Sequence, residues 1–127
     1  MSDPKNTHVL IAEDNEDLSI IYSAKLTEEG YSVATARDGK EALDSIRERM
    51  PDVLLLDVIM PRMDGLEFLR KAQKDPSLAA LPIIVMTNLG QDEDRVQCEK
   101  LGAKKFVVKT ELNIADLKGL IESVLPV

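Results

Sequence analysis

The chain has 127 residues, enough for one domain of ordinary size, and its 44% apolar and 31% charged residues suit a buried core under a soluble surface. A net charge of −7, from 16 basic and 23 acidic residues, and an aromatic content of 3% argue against a face that grips phosphate backbones or stacks bases. No apolar run reaches the roughly 20 residues of a membrane helix, the first residues lack a signal-peptide core, and the single Cys98 excludes an internal disulfide, so a cytoplasmic chain with no membrane partner and no direct nucleic-acid contact is expected.

Residues 1–7 read as an N-terminal tail and 8–125 as the folded core. The first apolar run, Val9-Leu10-Ile11-Ala12, does not alternate with polar residues, which marks a strand buried on both faces of a parallel sheet. His8, just before it, reads as structural or exposed. Leu18, Ile21, Tyr22 and Leu26 then recur at i, i+3, i+4 and i+8, a helical stripe stopped at Gly30. Residues 32–36 form a weaker strand, nearer an edge. Ala42, Leu43 and Ile46 mark a second helix, closed by Pro51, and Val53-Leu54-Leu55-Leu56 is the next fully apolar strand. Leu66, Leu69 and Ala72 mark a third helix, ending near Asp75-Pro76, and Ile83-Ile84-Val85-Met86 is the fourth strand. The helix expected over 92–101 has a thin apolar face, Val96, Cys98 and Leu101, with Cys98 as a small packing residue. Asp92, Glu93 and Asp94 in its first turn suit the positive end of a helix dipole; the functional alternative is a loosely held helix that can shift. A weaker strand over 105–108 follows. The last helix carries the clearest stripe, Leu117, Leu120, Ile121, Val124 and Leu125, and Asn113 with Asp116 resembles a capping box at its start.

This alternation predicts an α/β fold: a flavodoxin-like, doubly wound sheet of five parallel strands in the order 2-1-3-4-5, with five helices on its two faces. Sites in such sheets form beyond the carboxyl ends of the strands, where the order reverses between strands 1 and 3. Glu13 and Asp14 follow strand 1 and Asp57 follows strand 3, so three carboxylates are delivered to one crevice. Like charges this close disfavour ionisation unless a cation compensates, and Mg²⁺, a hard ion that takes carboxylate and phosphate oxygens, is the natural partner. Asn15 can cap the first helix, so capping does not account for all three acids. Thr87 follows strand 4 and Lys109 comes near the end of strand 5. Each alone reads as an ordinary strand-end residue or surface charge. Together with the acids they suit in-line phosphoryl transfer, the Asp57 carboxylate attacking to give an acyl phosphate.

From about His8 to Leu125 the chain resembles the response-regulator receiver domains of two-component signalling, of the chemotaxis-regulator kind. The matching residues are Glu13-Asp14, Ala36-Arg37-Asp38-Gly39-Lys40-Glu41-Ala42-Leu43 and Pro51-Asp52-Val53-Leu54-Leu55-Leu56-Asp57, followed by Met60-Pro61-Arg62-Met63-Asp64-Gly65, Thr87, Gly102-Ala103 and Phe106-Val107-Val108-Lys109. The resemblance implies a regulatory domain, not an enzyme in the usual sense, that catalyses its own phosphorylation and dephosphorylation. Asp57 would accept a phosphoryl group from a histidine kinase or histidine phosphotransfer protein. Asp14 would bind Mg²⁺ directly and Glu13 through water, with Asp57 and the backbone carbonyl of Ile59 completing the protein ligands. Thr87 would hydrogen-bond the phosphoryl group and Lys109 would pair with it. Phe106 stands at the place of the switch aromatic, with edge-strand packing as the alternative, and the face made by helix 4, strand 5 and helix 5 would meet a downstream protein. Ile59 and Leu89 stand where the family tunes access of the attacking water; both are apolar, which implies slow loss of the phosphoryl group.

Two positions depart from the family pattern. Asn88 follows Thr87 where a small residue is favoured, narrowing access to the phosphoryl group. Thr110 follows Lys109 where proline is usual; a cis peptide there would cost about 2.5–4 kcal/mol without proline, so trans is expected, with a displaced loop and Lys109 still reaching Asp57. A haloacid-dehalogenase-type phosphatase would need an acid two residues after its nucleophile, where this chain has Ile59, which cannot move a proton. A degenerate receiver that works without phosphorylation is opposed by the complete set of acids, hydroxyl and lysine. The same residues fit a stand-alone regulator and a receiver excised from a longer one.

Overall fold

Residues with no polar alternation become strands covered on both faces: Val9, Leu10, Leu54, Leu56, Ile84 and Val85 are wholly buried. They belong to β1 (His8–Ala12), β3 (Val53–Leu56) and β4 (Ile83–Thr87), which β2 (Ser32–Ala36) and β5 (Lys105–Val108) flank as edges. All pairs are parallel and the order is β2-β1-β3-β4-β5, as expected. The helices are α1 (Glu16–Glu28), α2 (Gly39–Glu48), α3 (Gly65–Lys74), α4 (Asp92–Lys100) and α5 (Leu117–Glu122). The computed structural model describes residues 6–126, so residues 1–5 of the expected tail lie outside the described residues. Thr7 is buried, and its carbonyl accepts from the Ser32 N–H at 3.0 Å.

Alternate strand residues feed two cores. Leu10, Leu54, Leu56 and Val85 pack with Ala42, Ile46, Phe68, Leu69 and Cys98 from α2, α3 and α4. Val9, Ile11, Leu55, Ile84 and Met86 pack on the other face with Tyr22, Leu26, Leu117 and Ile121 from α1 and α5. Short polar side chains start three of the helices. Asn15 caps α1, as expected, by accepting from the Leu18 N–H at 3.1 Å. Asp38 and Asp64 cap α2 and α3, each accepting at 2.8 Å from the N–H three residues on, an interaction worth about 1 kcal/mol over alanine.

The structure corrects two helix readings. On α1, Ile21 is 49% exposed, and the inward face is Ser19, Tyr22 and Leu26. The helix is apolar on more than one side, so spacing alone could not select the buried face. At the other end, Asn113 does not cap α5. It accepts from the Ala115 N–H at 3.0 Å and starts a separate 3-10 turn, Ile114–Asp116. Asp116 makes no side-chain cap bond to α5, so the capping box does not form. Val124 and Leu125 still pack on the α1/α5 core, beyond the six residues of the helix.

α4 is as thinly anchored as its sequence suggests. Cys98 is its only buried residue, Val96 is 47% exposed, and Gln91 makes no side-chain cap bond. At the amino ends of the strands, His8 is buried: its Nδ1 lies 3.0 Å from Ser32 Oγ, and its N–H donates to Asp52 Oδ2 at 2.7 Å. Arg49 Nη1 also donates to Ser32 Oγ, at 3.1 Å. Of the two readings of His8, the structural one holds. The Lys109–Thr110 peptide is trans, and no described residue follows a cis bond. No helix among the described residues is long and apolar enough to cross a membrane.

Candidate functional site

Parallel register sets the carboxyl ends of the strands nearly level. Ala12 pairs with Ala36 and Leu56, Leu56 with Val85, and Thr87 with Val108. Glu13 and Asp57 come next after Ala12 and Leu56, while Thr87 closes β4 two residues past Val85 and Lys109 follows Val108, so all four stand at one end of the sheet. Glu13 and Asp57 carry the ladder one step further, the Glu13 N–H donating to the Ala36 carbonyl at 2.9 Å and the Asp57 N–H to the Ala12 carbonyl at 3.0 Å. Their main chains are thus fixed by the sheet before their side chains make any contact.

One carboxylate oxygen from each of Glu13, Asp14 and Asp57 lies within 4.8 Å of the others. Glu13 and Asp57 are buried and Asp14 is exposed. Three hard anionic oxygens at this spacing fit a divalent cation, with Asp14 on the solvent side. Lys109 enters from the end of β5. Its Nζ donates to Asp57 Oδ2 at 2.7 Å and also to Glu13 Oε1. Burial alone would lower the lysine pKa, but hydrogen bonds to Asp57 and Glu13 outweigh it, and the ammonium is held more firmly than usual. Burial pushes the Glu13 carboxyl up, against the pull of Lys109 and of the Asn15 N–H, which donates to Glu13 Oε2 at 3.0 Å.

Thr87, at the end of β4, is wholly buried, and its Oγ1 accepts from the Leu89 N–H at 3.3 Å. The Ile59 N–H donates to Asp57 Oδ1 at 3.3 Å, which sets that residue's backbone beside the acid, while its side chain is exposed. A crevice of about 220 Å³ is lined by Glu13, Asp14, Asp57, Ile59, Thr87 and Lys109, with Asn88 at its rim. The residues singled out for this site from sequence are therefore together. Phe106 lies apart from them, half-buried on β5 against the α2/α3/α4 core, with the Arg95 guanidinium 5.4 Å from its ring centroid. In chemical terms, the crevice offers a buried carboxylate, oxygens for a hard cation, and a lysine and a hydroxyl for an anion.

Two features escaped the sequence reading. Lys109 bridges both buried acids rather than Asp57 alone. Arg62, in the loop between β3 and α3, holds a left-handed backbone with φ 60° and pairs with Asp38 and Glu41. The turn-forming run Met60-Pro61-Arg62-Met63-Asp64-Gly65 was the available signal for a tight loop there, though not for its partners.

Comparison with known proteins points to one family. The family described as the response regulator receiver domain matches residues 9–122. Response regulator PleD of Caulobacter vibrioides is 39% identical over 104 residues, which is 82% of this chain and 23% of PleD. The chain spans less than half the length of the curated relatives it matches. Among solved structures, the chemotaxis protein CheY4 of Vibrio cholerae superimposes with a TM-score of 0.86 at 31% identity, covering 94% of this chain and 98% of CheY4. The cyanobacterial phytochrome response regulator RcpA, solved in phosphorylated form, superimposes with a TM-score of 0.77 at 25% identity over 93% of this chain and 90% of its own.

Proposed function

The chain belongs to the response regulator receiver domains, the phosphoacceptor switches of two-component signalling, and from that premise we propose that Asp57 is the residue that takes the phosphoryl group. One observation carries this reading: Asp57 is a buried carboxylate at the end of a central strand, within cation-sharing distance of Glu13 and Asp14 and hydrogen-bonded to Lys109 at 2.7 Å. Glu13, Asp14 and Asp57, with the backbone carbonyl of Ile59, are the groups that would hold Mg²⁺. Bound there, Mg²⁺ supplies positive charge against the phosphoryl oxygens.

The protein's own groups account for the rest. An oxygen of Asp57 attacks phosphorus, forming a P–O bond as the bond to the donor's imidazole nitrogen or carboxylate oxygen breaks, and the acyl phosphate is the product. Lys109, already poised at Asp57, keeps its proton and pairs with a phosphoryl oxygen. Thr87 Oγ1 accepts from the Leu89 N–H, which leaves its own hydroxyl hydrogen free to donate to a second oxygen. Ile59 and Leu89 supply no group that orients water, so hydrolysis of the acyl phosphate is slow. The phosphoryl donor is a histidine kinase or histidine phosphotransfer protein in the cytoplasm. The response is read by a downstream protein at the α4/β5/α5 face, with Thr87 and Phe106 as the switch residues.

The test is incubation of the chain with acetyl phosphate, with and without Mg²⁺, followed by mass spectrometry. A gain of one phosphoryl group is expected only with Mg²⁺, and Asp57→Asn should lose it. Equal labelling of Asp57→Asn would overturn the assignment.

A further inference from the structure

The loop that leads from β3 into α3 must hold still if the backbone beside Asp57 is to keep its place. It is closed at its base by the Gly65 N–H, which donates to the Val58 carbonyl at 2.8 Å. At its far side the Gly39 N–H, in the first turn of α2, donates to the Met63 carbonyl at 2.8 Å. Between these two ties stands Arg62, the one described non-glycine residue with a positive φ, 60°. That conformation is rare for an L residue and persists only when the surroundings over-determine it.

The surroundings here are a pair of acids on another element. Arg62 Nε donates to Asp38 Oδ2 at 2.6 Å, and one terminal nitrogen lies 2.5 Å from the same oxygen and 3.2 Å from Glu41 Oε2. Asp38 is 1% exposed and also caps α2. Burial alone would raise the Asp38 pKa, but the Glu41 N–H and the Arg62 guanidinium outweigh it, and the carboxyl is held below its ordinary range. Arg62 itself reaches its partners from a half-exposed position, so the buried acid, not the arginine, is what would be stranded by losing the contact.

We propose that Arg62 is a positioning residue for the phosphoacceptor site: its clamp on Asp38 and Glu41 fixes the β3–α3 loop to α2 and thereby the Ile59 backbone beside Asp57. This rests on the reading of Glu13, Asp14, Asp57 and the Ile59 carbonyl as the Mg²⁺ ligands. Arg62 touches none of them. It acts through the loop, three residues along the chain from Ile59 and five from Asp57.

The experiment measures Mg²⁺ affinity of the whole chain by calorimetry, well below the melting midpoint, alongside thermal melts. Arg62→Gln removes the charge, and Asp38→Asn removes the carboxylate charge but keeps a capping oxygen. Arg62→Gly removes the clamp while relieving the backbone, so it cannot weaken binding through strain. Each should weaken Mg²⁺ roughly 3- to 10-fold, less than the 10- to 100-fold typical of groups bonded directly to a metal ligand. Arg62→Lys, which keeps the charge without the planar fork, should recover part of the loss. Arg62→Gln combined with Asp38→Asn should bind no worse than the poorer single variant, since both break one contact. Affinities equal to that of the unaltered chain in Arg62→Gly and Arg62→Gln, with or without a lower melting midpoint, would overturn the proposal and leave Arg62 a stabilising residue only. Absence of Mg²⁺ binding by the unaltered chain would instead overturn the ligand reading on which it stands.

Discussion

A single missing methyl group lets the β3–α3 loop lie against the site. A Cβ at Gly65 would fall 2.3 Å from the Asp57 carbonyl oxygen and 2.8 Å from the Val58 Cα, both backbone atoms that cannot swing aside. Gly65→Ala is therefore expected to push the loop off the end of β3, destabilising the fold by about 1–3 kcal/mol in urea melts, as overpacking does. It should also cut acetyl phosphate labelling of Asp57, because the displaced backbone is that of the nucleophile's own neighbours. A variant with unchanged melts and labelling would show that the loop yields freely. The acids, Thr87 and Lys109 were legible in the sequence because each stands at or just past the end of a strand that could be recognised, and parallel topology brings strand ends together. Arg62 was not: its partners lie 24 and 21 residues away, and their meeting depends on a left-handed backbone that composition does not announce.

Helices were legible in their existence and less so in their facing. α1 carries Leu18, Ile20, Ile21, Tyr22, Ala24 and Leu26, so several stripes satisfy a helical period, and the sheet, not the spacing, chose Ser19, Tyr22 and Leu26. At α5 the apolar period runs on through Val124 and Leu125 although the helix ends at Glu122. There the chain continues in tighter turns, the Val124 and Leu125 N–H groups donating three residues back at 3.2 and 3.3 Å, so the apolar side chains stay on the core after the α-helix has ended. α4 was legible as a helix with a thin apolar face, from its acidic first turn and few apolar residues, but of Val96, Cys98 and Leu101 only Cys98 is buried and Val96 is 47% exposed. A helix so lightly held belongs to the low-stability end of the molecule. Phosphorylation of Asp57 is expected to change amide hydrogen exchange across residues 92–108, with Phe106 and the Arg95 contact to its ring inside the affected stretch. Identical exchange with and without a phosphoryl mimic would remove α4 and β5 from the response.

At the scale of the whole molecule, the sheet order was accessible from the alternation of elements alone, since right-handed crossovers and two covered faces leave few arrangements for five parallel strands. The same topology leaves the two rims of the sheet unlike each other. The carboxyl rim gathers the reactive groups; the amino rim gathers His8, which meets Ser32 at the start of β2 and Asp52 just before β3. That histidine ties the fold to the proton concentration of its surroundings. Burial, then the nearby Arg49 charge, lowers its pKa from the ordinary 6.5. The unfolded chain consequently takes up this proton at a higher pH than the folded one, and stability falls as pH drops below about 6.5, by up to about 1.4 kcal/mol per pH unit for one proton. Glu13, raised by burial, acts in the opposite direction, so the contrast must be drawn between two proteins that share it. In urea melts between about pH 5 and 6.5, His8→Gln should lose less stability per pH unit than the unaltered chain. Equal slopes in the two would mean that His8 holds its proton as readily in the folded sheet as in the open chain.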